Sequence, residues 1–179
     1  MGFKKWFGKK EEEVYQDYTL DGMQKGYMVD YDLNTWEVIG CNTYDYDGYL
    51  TKEWELRCGE EVRFLERGVE DGKVCLTLTQ RIQVNEIQEP VVDTVLAEED
   101  PPEEIHFQGS LYAATESGAG LFREGGSGEG REFVNWSFEG EEDRVLFISQ
   151  WGERDFSAYA GEYVEEYQFT DILPGAEEG

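Results

Sequence analysis

Histidine occurs once in this chain, at His106, and cysteine three times, at Cys41, Cys58 and Cys75. A zinc site made from them would need CxxC or HxxxH spacing, and neither is present. The odd cysteine count and the strand-like, half-apolar surroundings read instead as reduced thiols acting as small hydrophobes. One histidine also leaves little for nucleophilic catalysis: there is no nucleophile elbow, and Ser110 near His106 has no orienting pattern. Basic charge is short as well, with 15 Lys and Arg against 41 Asp and Glu and a net charge of −26. Such a body repels nucleic acid and anionic lipid, which excludes a nucleic-acid binder. No apolar run is long enough for a secretory signal or a membrane span, so a cytoplasmic location is expected.

What the chain does have is aromatic bulk: 5 Trp, 11 Tyr and 10 Phe, enough for a packed core in 179 residues. From Tyr27 to Ile82 apolar residues recur with a period near two, the signature of strands. Turns are expected at Asn34-Thr35, Asp47-Gly48, Gly59 and Asp71-Gly72. Between Pro90 and Pro102 the alternation stops, and VVDTVLAEEDPPEE reads as an acidic linker with one helical turn. The expected organisation is a basic-aromatic segment 1–13, a first β unit 14–89, the linker 90–104, a second β unit 105–174 and a fraying tail 175–179. The expected fold class is mainly all-β. Its antiparallel strands would form two similar sheet or small-barrel units packed in one compact body, with little helix.

An internal echo supports two similar units. Trp54-Glu-Leu56, Gly59-Glu-Glu61 and Val62 to Leu65 resemble Trp136-Ser-Phe138, Gly140-Glu-Glu142 and Val145 to Ile148, each a strand, a GEE turn and a strand.

Four of the basic residues fall in the first ten, where there is no acid. Phe3, Trp6 and Phe7 stand at i, i+3 and i+4, so a helix would gather them on one stripe among Lys4, Lys5, Lys9 and Lys10. These seven residues are the candidate contact with an anionic membrane surface or a protein partner. Gly2 does not signal myristoylation, because Trp6 stands where Ser or Thr is required. Asp30-Tyr-Asp32-Leu-Asn34 imitates the start of a calcium loop, but Thr35 replaces the turn glycine and Cys41 the closing carboxylate. Gly118 to Gly130 reads as a flexible hairpin loop, since its acids oppose phosphate and a strand follows it. Among 41 acids, any pair chosen as general acid and base would be arbitrary. The aromatic set Tyr44, Tyr46, Tyr49, Trp54, Trp136, Trp151, Tyr159 and Tyr163 is the candidate lining of a pocket between two sheets, and Tyr44, Tyr46, Trp54, Trp136 and Trp151 are the pocket residues put forward. No catalytic, cofactor-binding or metal-ligating residue is assigned.

Leu20-Asp-Gly22, Gly26-Tyr-Met-Val29, Trp36-Glu-Val38-Ile-Gly40, Trp54-Glu-Leu56 and Phe64-Leu65 resemble the bacterial family known as the domain of unknown function 4178. The likeness returns at Phe133-Val-Asn-Trp136, Leu146-Phe-Ile148, Trp151-Gly152, Ala160-Gly-Glu-Tyr-Val164 and Phe169-Thr-Asp-Ile172. Phe64-Leu65 departs from the family's Trp-Leu pair. No polar motif is among these positions, so the resemblance brings no catalytic residues. It implies a β-rich cytosolic protein with a membrane-adjacent accessory role in an envelope-stress context. The charge split and the missing catalytic constellation make the expected function a non-enzymatic adaptor docking to a membrane surface or protein partner. The alternatives are a β module holding a lipid or aromatic small molecule, and an enzyme using carboxylates.

Overall fold

Alternation along Tyr49–Cys58 becomes architecture directly: Trp54 and Leu56 are buried on one face of the strand, while Thr51 and Glu53 point to the other. The structure is a computed structural model that describes residues 17–176. The expected basic-aromatic segment 1–13, with its seven candidate contact residues, lies outside the described residues.

Among the described residues, eleven antiparallel strands follow one another as β1 (Met28–Tyr31), β2 (Asn34–Tyr46), β3 (Tyr49–Cys58), β4 (Glu61–Glu70), β5 (Lys73–Ile82), β6 (Glu104–Phe107), β7 (Ser110–Arg123), β8 (Arg131–Glu139), β9 (Arg144–Gly152), β10 (Asp155–Val164) and β11 (Thr170–Leu173). The mainly β, antiparallel fold read from the sequence is what forms. Asp47-Gly48 and Asp71-Gly72 make their turns with both residues left-handed, the geometry that matches strand twist. The first hairpin turns at Asp32-Leu33 and not at Asn34-Thr35, which already pair with Tyr31 and Asp30. The calcium-like sequence is this hairpin, held by Asn34 Nδ2 donating to the Asp32 carbonyl at 2.9 Å.

Two further segments differ from expectation. Gly118 and Gly120 lie inside β7, and the loop proper is confined to 124–130. The linker carries a two-turn helix, α1 (Val91–Glu98), whose Val91 and Val95 are buried one turn apart. Glu99 in a left-handed conformation ends it, and Pro101-Pro102 cannot continue it.

The two halves repeat one plan: a four-residue strand, a two-residue turn, a long strand and three hairpins. Trp54 in β3 and Trp136 in β8 hold equivalent places, as do Leu65 in β4 and Ile148 in β9. Each half ends in a 3-10 turn closed by a capping box, at Val84–Glu86 and at Glu166–Gln168. After it the chain pairs with the short strand that opens the other half: Ile87 bridges Phe107 of β6, and β11 pairs with β1. The halves are thereby interlocked.

Each half has its own apolar core. In the first, Trp36, Val38, Trp54, Leu56, Leu65 and Leu78 are covered by Leu20, Met23 and Phe169. In the second, Ile105, Tyr112, Trp136, Phe138, Leu146 and Ile148 are covered by Val91 and Val95 of the helix. Two seams join the halves. Strand β5 pairs with β10 from Leu76↔Val164 to Ile82↔Ala158, and β2 pairs with β7 at Thr43↔Arg123, Tyr44↔Phe122 and Asp45↔Leu121. The order β2-β3-β4-β5-β10-β9-β8-β7 therefore returns to β2, a closed ring of eight strands. Both seams are tight. A Cβ on Gly120 would come within 2.1 Å of the Asp45 carbonyl oxygen, and one on Gly161 within 1.9 Å of that of Leu78.

Candidate functional site

Because the apolar faces of the ring strands turn outward to the two cores, their polar faces turn inward and face one another. They enclose a chamber of about 420 Å³, within the size range of metabolite pockets. Strand β3 supplies Thr51 and Glu53, β4 Glu66 and β5 Thr77 and Thr79; Asn135, Ser149 and Tyr159 come from the second half. One end is packed with rings. Tyr44 stands 4.9 Å from Phe122 and 5.3 Å from Phe133, and Trp151 stands 5.5 Å from each of those phenylalanines. The other end lies among the hairpins between β2 and β3, β4 and β5, and β8 and β9, where Tyr49, Glu70, Glu116 and Glu139 are exposed at the rim.

Glu53 is the anchored carboxylate. It is 6% exposed, and Asn42 Nδ2 donates to its Oε1 at 2.9 Å while the Tyr44 hydroxyl donates to its Oε2 at 3.0 Å. Burial pushes its pKa up to about 7, against the opposing effect of those two hydrogen bonds. Asn42 is fully engaged: it also donates to Glu55 at 3.1 Å and accepts from the Gly125 N–H at 3.1 Å.

Glu66 stands directly opposite Glu53 across the β3–β4 ladder and opposite Thr77 on its other side. Its carboxyl has no hydrogen-bond partner among the described residues, and the surface it retains faces the chamber. Burial first, and the neighbouring Glu53 second, push its pKa up to about 8. Three tyrosines on this wall also titrate above the ordinary phenol range, and burial is the main cause for Tyr44, Tyr46 and Tyr159 alike. The Tyr46 hydroxyl accepts from Asn135 Nδ2 at 2.8 Å. At the rim the Cys75 thiol is pushed up to about 11 by burial and by the surrounding glutamates. No lysine, arginine or histidine lines the chamber among the described residues.

Of the aromatic residues expected to line a pocket, Tyr44, Tyr46, Tyr49, Tyr159 and Tyr163 do so. Trp54 and Trp136 do not. Trp54 lies in the first core with its indole donating to the Met23 carbonyl at 3.1 Å, and Trp136 in the second core with its indole donating to Asp100 Oδ1 at 3.0 Å. Trp151 belongs to the ring cluster, where its indole donates to Ser157 Oγ at 2.8 Å. His106 and the cysteines do not converge: His106 Nδ1 lies 2.6 Å from Glu89 Oε1, which ties the residue just before the linker to β6. Among the described residues, no three His, Cys, Asp or Glu side chains gather into a metal-holding group, and no helix is long and apolar enough to cross a membrane.

Glu53 and Glu66 were missed in the sequence because alternation marks their strand faces as wet. A visible signal was that Glu53 and Glu66 sit on strands whose other faces carry Trp54 and Leu65, in a chain long enough to close on itself.

The chain belongs to the family described as a domain of unknown function, DUF4178, which matches residues 24–166. An uncharacterized protein of Aquifex aeolicus (strain VF5) is similar to it, at 29% identity over 181 residues covering 97% of this chain and 99% of the relative. No solved structure matches the chain.

Proposed function

We propose that this protein is a small-molecule binding module whose site is the central chamber. The observation that carries the reading is where the polar groups sit. Two apolar cores outside the ring already supply burial for folding, yet eight strands close on carboxyls, phenols and hydroxyls that cost free energy to remove from water. Hydroxyls and carboxyls all along the wall favour a polar ligand over a lipid. The raised carboxyls Glu53 and Glu66 are the pair an enzyme would use. The absence of any lysine, arginine or histidine from the described lining leaves no side-chain cation for an oxyanion, which favours holding a molecule over acyl or phosphoryl transfer.

A metabolite library screened by thermal shift tests this. A ligand at 100 times its dissociation constant adds about 2.7 kcal/mol of stability. Hits should vanish in Thr77→Phe, which fills the chamber. Hits that persist in that variant would remove the chamber as the site, and conversion of a hit to product would replace binding by catalysis.

Peripheral docking is a second reading, carried by the charge split of the sequence: four lysines and three aromatic residues precede a strongly acidic body. The cytoplasmic location, at the inner face of the membrane, belongs with it, as does the envelope-stress context. Deleting Met1 to Lys10 should abolish cosedimentation with anionic vesicles or with a protein partner, and unchanged cosedimentation would remove this reading.

A further inference from the structure

We infer that the ligand of the chamber is a small organic cation whose ammonium group sits against Glu66; this rests on the chamber being the binding site. Three features of the wall converge on that chemistry. The described lining is acidic without compensation: Glu53 and Glu66 lie within, Glu70, Glu116 and Glu139 lie at the rim, and no basic side chain accompanies them. An anionic molecule would meet repulsion along its whole path, whereas a cation is drawn in through the rim. Within the chamber, the two carboxyls have opposite standing. Both oxygens of Glu53 are occupied by Asn42 and Tyr44, so its hydrogen bonding is complete without a guest. Glu66 faces the same space with no partner, and the unmet group is the one that a guest can satisfy.

An ammonium there makes a charge-assisted hydrogen bond and relieves the juxtaposition of two acids across the ladder. The rings of Tyr44, Tyr46 and Tyr159 on the same wall add surfaces whose electron-rich faces attract cations, and Thr77, Thr79 and Ser149 offer oxygens that accept from further N–H groups. The raised Glu66 pKa agrees with this: the carboxyl stays neutral while the chamber holds no countercharge.

Tyramine, tyrosol and 4-hydroxyphenylacetate form a matched probe series, sharing one ring and differing in a cationic, neutral or anionic end; spermidine adds a longer cation. Calorimetry and thermal shift on the full chain should show tyramine or spermidine binding, tyrosol at least tenfold weaker than tyramine, and no binding of 4-hydroxyphenylacetate. Glu66→Gln should weaken the cation at least tenfold with the β circular-dichroism spectrum unchanged. Thr77→Phe, which leaves the net charge alone, should abolish binding and serves if Glu66→Gln fails to fold. Cation binding that survives both variants would be attraction to the acidic surface and would overturn the inference. Tyrosol or the acid binding in preference, with Thr77→Phe blocking it, would overturn the charge assignment while leaving the chamber as the site. If none of the four probes binds, the inference fails, and a library hit of another class lost in Thr77→Phe would keep the chamber.

Discussion

The outer and inner faces of the same eight strands are built for opposite ends. Outward, Trp36, Trp54, Leu65, Phe138 and Ile148 are essentially inaccessible and pack into two cores. Inward, Glu53, Thr77, Thr79 and Ser149 are buried as well, but around a space and not against apolar neighbours. Small barrels usually fill their interior with apolar side chains. Here the apolar burial has been moved outside the ring, where the helix, the 3-10 turns and the short strands β1, β6 and β11 cover it. The inner face is thereby released from supplying the apolar burial of the fold.

The sharpest way to break the comparison is to truncate one side chain on each face. Trp54→Ala should cost about 3–5 kcal/mol by urea unfolding, because it empties a closed apolar site and also strands the Met23 carbonyl that its indole satisfies. Thr79→Ala on the inner face of β5 should cost far less, and equal costs would mean that the two faces contribute alike. At the seam, Gly161→Ala should destabilise by about 1–3 kcal/mol, since its Cβ would meet the Leu78 carbonyl and the backbone must move. An unchanged urea midpoint would show that the β5–β10 seam is looser than its geometry.

Glu66→Gln should act in the opposite direction. The unfolded carboxyl ionises near 4.5 and the folded one near 8. The stability that its neutral form permits is full below pH 4.5 and is lost as pH rises through about 8. The glutamine does not ionise, so at pH 9 the variant should be the more stable, with a higher Tm and urea midpoint. The gap should close toward pH 4.5, and a gain that is independent of pH would disprove the buried ionisation. The smallest effect belongs to the outermost layer. Lys52 pairs with Asp21 at 2.8 Å with both side chains about half exposed, and Lys52→Ala should change stability by under about 1 kcal/mol.

Much of the fold was legible locally. Asp47-Gly48 and Asp71-Gly72 announced their hairpins because few residue pairs adopt two left-handed conformations cheaply. The Trp54 and Trp136 echo marked equivalent strands in the two halves for a similar reason, since the same period and the same turn chemistry recur. Asp32-Leu33 escaped notice, as a leucine at a left-handed position carries no turn signature. The glycines at Gly118 and Gly120 misled in the other direction, looking like a loop when their lack of a side chain serves close approach within β7.

The chamber was legible only in part. Tyr44 and Tyr46 belonged to a recognisable aromatic set, but Glu53 and Glu66 looked like any other acids on a solvated strand face. By itself the sequence determined the strands, most of their turns, the doubled plan and which residues share a face, because these follow from neighbours a few positions apart. Which polar face would be shut away from water was decided by the pairing of β2 with β7. That contact joins residues as distant as Asp45 and Arg123, whose side chains meet at 3.0 Å. A period of two separates the faces of a strand, whereas closure depends on where its far edge finds a partner, and no local pattern records that.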